Sequence, residues 1–511
     1  MTNIVEHLVH RHSVDAPDKI AVIHGENQYS YSELDSCINQ CSKWLLDNNL
    51  QQGDRVVLVL PNAPEYIVAF LAVVNIGAIV VPADPGHKAD RLGFIVEETS
   101  PRWLIYADQR PPIVVDAVSS VRLSFAPDTG TIVFSNSHRV ANEPKSLTAP
   151  SERCAAIIYS SGSTGRPKGV VLTHDHLLTT ANNLANMLTA DSNHRDLILS
   201  PMNHTDGWQR VASALYAGAS LIIYEGLLSI AGWLDDVQRF KISSFYTPPP
   251  FLNYLLKADR SDIKEMTTTL RSIEIGSAPV SPDRIHQLSE LFPGVTIYVH
   301  FGLTESSRAT ILNATIRPDK RHTVGTACKN VEISIRDDQG KIRTHSSQGE
   351  ILLRGMQSTR YYWQRDDLNQ QRFLDDWLLT GDYGELDSDG YLLFQGRKDD
   401  MINFSGFHYF PAEAELELKQ VPGVAQYVFC GVPDEQGIHQ HLPCAFFQPE
   451  PDAQAADAGR TLLTLSRQNL LPHMVPRKVI PVTDIPLTSS GKPNRRQLIK
   501  DYLYQIDEQL K

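Results

Sequence analysis

Tyr159-Ser160-Ser161-Gly162-Ser163-Thr164-Gly165-Arg166-Pro167-Lys168-Gly169 is the stretch on which the fold turns. It sits between two apolar runs, Ala155-Ala156-Ile157-Ile158 before it and Val170-Val171-Leu172 after it, and so reads as strand, loop, strand. Glycines let backbone N–H groups converge on an anion, the Ser and Thr hydroxyls add donors, and lysine adds positive charge. That combination suits phosphate. The common P-loop needs a glycine, four residues, Gly-Lys and then Ser or Thr opening a helix. Here Gly162 and Gly165 are too close, Pro167 precedes the lysine, and Gly169 stands where the hydroxyl belongs. A flexible Gly/Ser hairpin accounts for the small residues but not for the ordered set that ends in Pro-Lys-Gly.

Outward from this loop, apolar strand-like runs alternate with helical patterns. Val56-Val57-Leu58-Val59-Leu60 precedes a helical run from Glu65 to Asn75, and Ala78-Ile79-Val80-Val81 follows it. Leu104-Ile105-Tyr106, Leu221-Ile222-Ile223-Tyr224 and Ser272-Ile273-Glu274-Ile275 continue the series. The alternation predicts an α/β architecture with largely parallel sheets. After about Gly325 the texture becomes β-rich, with Glu350-Ile351-Leu352-Leu353 and Tyr391-Leu392-Leu393-Phe394 between turns. Gly396-Arg397-Lys398-Asp399-Asp400 is polar and charged and suits a linker kept in water.

The 511 residues exceed one ordinary core. A net charge of -12 argues against bulk nucleic-acid binding, which needs a basic face. The most apolar stretch, Tyr66 to Val81, carries Asn75 and Gly77 and falls short of a membrane span. With no secretory pattern at Met1-Thr2-Asn3-Ile4-Val5-Glu6, the expected location is cytoplasmic, with no membrane and no nucleic-acid partner. Six scattered cysteines without metal-like spacing read as reduced thiols.

The loop resembles the phosphate-loop signature of the superfamily of AMP-forming acyl-CoA synthetases, nonribosomal peptide adenylation domains and firefly luciferase. The resemblance is collinear over nearly the whole chain. Tyr29-Ser30-Tyr31-Ser32-Glu33-Leu34 is similar to the family's opening motif, and Gly77-Ala78 through Pro82-Ala83-Asp84-Pro85 to its second. His300-Phe301-Gly302-Leu303-Thr304-Glu305 resembles its Y-G-x-T-E motif, Thr380-Gly381-Asp382 and Gly396-Arg397-Lys398-Asp399-Asp400 two more, and Pro486-Leu487-Thr488-Ser489-Ser490-Gly491-Lys492 its terminal P-L-T-x-x-G-K.

The resemblance implies a large N-terminal domain of α/β subdomains plus a β-rich subdomain (1–396), a hinge (397–400) and a small mobile C-terminal α+β domain (401–511). It implies ATP and Mg²⁺ as cofactors, and activation of a small carboxylic acid to an acyl-adenylate. The nucleotide would meet Ser160, Ser161, Gly162, Ser163, Thr164, Gly165 and Lys168, then Ser277, Ala278 and Pro279 along adenine, with Phe301 and Gly302 beside it. Asp382 and Arg397 would hold ribose, Thr304 phosphate, and Glu305 the metal. Lys492 would swing in to bridge the attacking carboxylate and the α-phosphate, and rotation about Asp399 would then present a second face carrying Asn403, Gly406 and His408.

Pro201-Met202-Asn203-His204-Thr205-Asp206-Gly207 resembles the P-L-F-H-x-x-G stretch of acyl- and aryl-CoA synthetases. It places His204 and Asp206 at the acid, with Gly276 nearby. Amino-acid-activating relatives carry an aspartate at the position that falls on Thr205, which disfavours a free α-amino acid. Arg308 could face an acidic or keto group. Asn403 stands where many members carry lysine and His408 where arginine is usual, so the acceptor stays open. It is CoA, the 4'-phosphopantetheine of a separate carrier protein, or an amine acceptor such as an amino acid; a nucleotide-binding pseudoenzyme is the remaining alternative.

Overall fold

The computed structural model describes residues 4–509 except 108–117, 126–131, 139–152, 161–166, 225–229, 248–250, 253–254, 257–262, 264–267, 277–278, 406, 419, 435–439 and 488–491. Three sheets build the larger part of the chain. The first has seven strands in the spatial order Ile132–His138, Ser120–Phe125, Trp103–Tyr106, Arg55–Val59, Ile79–Pro82, Cys154–Ser160 (β1) and Lys168–Thr173 (β2). Its inner pairs are parallel and both edges turn antiparallel. The helix Pro64–Asn75 crosses between two of its parallel strands, with proline in its first turn and residues 66 to 74 buried throughout. At about 1.5–3 kcal/mol for each large apolar side chain taken from water, that helix is a main source of core stability.

Helix His174–Met187 (α1) follows β2, capped by the Thr173 hydroxyl. Helix Thr205–Tyr216 (α2) packs beside it. The second sheet has nine strands. Its parallel centre contains Arg195–Ile198, Ser244–Thr247, Ser272–Ile275 (β3) and Thr296–Leu303 (β4), and β4 returns antiparallel as Ser306–Asn313 (β5). The connection Thr304-Glu305 is the tight turn of that hairpin.

The third sheet is antiparallel and carries Trp377–Leu386 (β6) beside Leu392–Arg397 (β7). This is the β-rich section expected after Gly325. Arg397, which the charge pattern assigns to the linker, is the last residue of β7, because Asp382 on β6 stands opposite it in register and pairs with it. The turn itself is a short 3-10 helix, Lys398–Asp400. Beyond it lie a hairpin, Ile402–Phe404 (β8) with Phe407–Tyr409 (β9), a three-stranded sheet and the final helix Arg495–Gln509 (α3).

The opening motif has a structural role. Ser30 and Glu33 form a capping box on helix Tyr31–Asp47, and the buried Tyr31 hydroxyl donates to the Ala219 carbonyl at 2.7 Å. Among the described residues no helix is long and apolar enough to cross a membrane.

Candidate active site

The β1–β2 edge and the β4–β5 hairpin meet at one ion pair. Lys168, opposite Ser160 in the ladder, sends its ammonium 2.5 Å from Glu305 Oε1, and both groups are buried. The Tyr362 hydroxyl donates to the same carboxylate oxygen at 2.8 Å. Burial alone would raise the Glu305 carboxyl; the Lys168 charge and the two hydrogen bonds outweigh it and hold the group below the usual carboxylate range. Tyr362 is carried by a segment laced alongside β2. Val171 N–H donates to Tyr361 O at 3.1 Å, Trp363 N–H to Gly169 O at 2.7 Å, and Thr359 N–H to Glu305 O at 2.7 Å.

Ser160 Oγ is buried without a hydrogen-bond partner among the described groups. An orphaned hydroxyl beside a buried lysine is a fit for an incoming phosphate oxygen. The loop residues Ser161, Gly162, Ser163, Thr164 and Gly165 lie outside the described residues, as do Ser277 and Ala278. Among the described residues no group of three or more His, Cys, Asp or Glu side chains could hold a metal ion. A magnesium ion at Glu305 would need phosphate oxygens to complete its shell, which is how this small, hard cation is commonly held.

On the other side, Asp382 is buried at the bend of β6 and accepts from Arg397 Nη1 at 2.7 Å. Burial raises its carboxyl above the ordinary value, against the pull of Arg397 and Lys492. Lys492 acts on the same carboxylate. Much of the residue faces solvent, yet desolvation by the cleft lowers its ammonium pKa, and the carboxylates felt there are Asp206 and Asp382. Lys492 thus shares the electrostatic field that joins Asp382, Arg397 and Glu305.

Phe301 is only 7% exposed, its ring packed 5.4 Å from that of Phe394 in the β-rich core. Pro279 is exposed. His204 precedes α2, its Nε2 buried and unpartnered among the described groups, and burial lowers its pKa. Asp206, in the first turn of α2, keeps 31% of its side chain accessible and lies 3.8 Å from Arg308 Nη1. Arg308 is buried, and its Nε donates to Glu274 Oε1 at 2.7 Å. Asp399 pairs with Arg496 of α3 at 3.0 Å. Asn403 and His408 face each other across β8 and β9, with the Asn403 amide donating to Gln440 at 2.8 Å and His408 exposed. Gly406 lies outside the described residues.

Sequence reasoning missed Tyr362 and Glu274. Tyr362 sits in an unremarkable Tyr361-Tyr362-Trp363 run; Glu274 alone left a signal, an acidic residue in the middle of an apolar strand.

Residues 9–363 match the model of the AMP-binding enzyme family, and residues 413–492 match that of the AMP-binding enzyme C-terminal domain. The chain belongs to this family. Its fold is that of the adenylating superfamily, a large N-terminal part of mixed α/β sheets and a small C-terminal part. Among curated relatives, this AMP-binding enzyme is 27% identical to a probable CoA ligase, CCL9, of Humulus lupulus, with 98% of this chain and 96% of that protein covered. It is 26% identical to the oxalate–CoA ligase of Arabidopsis thaliana, over 95% of this chain and 96% of the relative. It is also 26% identical to the malpinin synthetase of Mortierella alpina, over 97% of this chain but 6% of that protein. Among solved structures, ATP-bound MatB from Rhodopseudomonas palustris superposes with a TM-score of 0.83 at 25% identity, 98% of each chain covered. The Bacillus subtilis o-succinylbenzoate CoA synthetase with its acyl-adenylate gives 0.82 at 22% identity, again over 98% of each chain.

Proposed function

We propose that this AMP-binding enzyme activates a carboxylic acid with ATP and passes the acyl group to a thiol, that of CoA or of a carrier's 4'-phosphopantetheine. The observation that carries the reading is the buried Lys168–Glu305 ion pair beside the unpartnered Ser160 hydroxyl, with Asp382 and Lys492 acting on each other electrostatically nearby. In the first step a carboxylate oxygen attacks the α-phosphorus of ATP, the bond to the β-phosphate bridge breaks, and pyrophosphate leaves. Two anions must approach, so catalysis rests on preorganised cations and donors more than on acid–base groups. Lys492 suits the meeting point as a compact charge on a flexible stem. Lys168 and Ser160 supply positive charge and a donor at the phosphates, with Thr304 beside them. Asp382 and Arg397 orient ribose. Glu305 would hold Mg²⁺, which supplies charge neutralisation at the phosphate oxygens. In the second step the thiolate attacks the acyl carbon and AMP leaves.

Carboxylate-dependent exchange of labelled pyrophosphate into ATP tests the first step. No exchange across fatty, aromatic, amino and short acids, in protein that still binds ATP, would restore the alternative of a nucleotide-binding pseudoenzyme. One observation favours a second acceptor: the β8–β9 hairpin offers an amide tied to Gln440 and an exposed imidazole where cations would attract CoA phosphates. Product formed with hydroxylamine or an amino acid, but never with CoA or a carrier thiol, would select the amide-forming ligase.

A further inference from the structure

On the proposed reading the carboxylate of the acid meets Lys492, whose ammonium feels Asp206, and what backs Asp206 is charge. Arg308 Nη1 is 3.8 Å from Asp206 Oδ1, and its Nη2 donates to the Asp206 carbonyl at 3.4 Å. Its Nε is bound to Glu274, which also takes Arg210 Nη1 at 3.1 Å and has His300 Nδ1 at 2.8 Å. Arg210 reaches on to Asp196 and to Ser244 Oγ. Arg308, Arg210, Glu274 and Asp196 are all at most 2% exposed.

The layer is tightly closed. A methyl group placed on Gly276 would overlap the His300 ring, and one on Gly302 would overlap the Arg308 amide nitrogen. Tyr246 backs both, its ring centroid 5.7 Å from that of His300 and 5.7 Å from the Arg308 guanidinium carbon. Nor does Arg308 yield easily. It holds a left-handed backbone at φ +52°, and Gln357 Nε2 and Cys328 Sγ both bind its carbonyl at 3.0 Å. Such strain persists where the surroundings over-determine it, and it clusters at functional sites.

Two consequences follow for the acid. A hydrocarbon tail would have to displace buried ions from one another, and separating buried charge pairs is strongly unfavourable. A second carboxylate would meet an arginine already neutralised by Glu274, beside the accessible Asp206. In contrast, Gln209 lies one turn from Asp206 on α2, fully buried, with neither its amide oxygen nor its nitrogen partnered among the described groups. An unsatisfied buried amide rewards a ligand that hydrogen-bonds to it.

We infer that the acid is short and carries an uncharged or amino hydrogen-bonding substituent. His300 and Arg308 limit its length and Gln209 reads the substituent. This rests on the adenylating reading proposed above.

Pyrophosphate exchange with the full chain decides it, using glycolate, lactate and β-alanine against octanoate, cinnamate and malonate. The substituted short acids are expected to exceed the others by about ten-fold or more in kcat/KM, the scale on which pockets discriminate. Octanoate, cinnamate or malonate as the best substrate overturns the inference and leaves adenylation standing. No exchange with any acid removes both. Two variants sharpen the assignment, each checked for an unchanged thermal midpoint. His300→Ala is expected to raise kcat/KM for octanoate by about ten-fold, since it removes the ring against Gly276. Gln209→Leu is expected to raise KM for lactate while leaving that for propionate unchanged. A folded His300→Ala with the native length preference, or a Gln209→Leu that treats both acids alike, counts against the inference.

Discussion

Lys168 and Glu305 are 137 positions apart and close a single buried ion pair. Lys168→Met leaves the Glu305 carboxylate buried without its cation, a change that typically costs about 3–5 kcal/mol. A urea midpoint well below that of the native chain is therefore expected, along with loss of exchange activity. The sign of the pH dependence follows from the depressed Glu305 carboxyl. Its contribution is complete above the unfolded value of about 4.3 and fades as pH falls through the lower folded value. The gap between native and Lys168→Met midpoints should thus be constant near neutrality and shrink in strong acid; a gap that widens there would contradict the pairing. The Lys492 pKa is lowered as well, but in an ammonium that shift disfavours the charged form. Desolvation lowers its pKa, and the ammonium is the working form, so exchange should fall at an alkaline pH below that of an ordinary lysine. Lys492→Ala should nearly abolish exchange while ATP binding persists. The phosphate loop made Lys168 legible without any structure, but its partner Tyr362 was not. A tyrosine within an aromatic run bears no mark of the carboxylate it will meet.

Strands were legible wherever burial on both faces left a continuous apolar run, as at Arg55–Val59 and Ile79–Pro82. The antiparallel edges were not, because the partner of a strand such as β4 is set by the turn at Thr304-Glu305 and not by the strand's own residues. The charged layer behind Asp206 was hidden for a related reason. Its members come from α2, β3, β5 and the strand Arg195–Ile198, and each looks like an isolated charge in its own segment. Conversely, the opening motif at Tyr29–Leu34 carries a family resemblance yet forms a helix cap. Ser30→Ala removes the acceptor for Glu33 N–H and should cost about 1 kcal/mol, the usual worth of such a cap. Denaturant unfolding should register that loss while kcat for exchange stays at the native level. A selective loss of kcat at unchanged stability would mean that the motif touches the reaction.

At the scale of the whole molecule, the chain after β7 must bring Lys492 to the cleft and, on the proposed cycle, later take it away. The short turn Lys398–Asp400 connects the two parts, and Asp399 is latched to Arg496 of α3 by an exposed pair 3.0 Å long. Exposed pairs of this kind contribute about 0–1 kcal/mol, so the latch opposes rotation weakly. The backbone at 399 should then be the more effective control. Proline fixes φ near −65° and so restricts rotation of the backbone at this position. Asp399→Pro is therefore expected to keep pyrophosphate exchange within a few-fold of native while thioester formation from a supplied acyl-adenylate drops sharply. Arg496→Ala, which opens the latch but leaves the backbone free, should spare both steps. Assayed side by side, these variants separate a hinge from a simple link. If Asp399→Pro lost both half-reactions equally at unchanged stability, or lost neither, one fixed arrangement would have to serve adenylation and transfer alike.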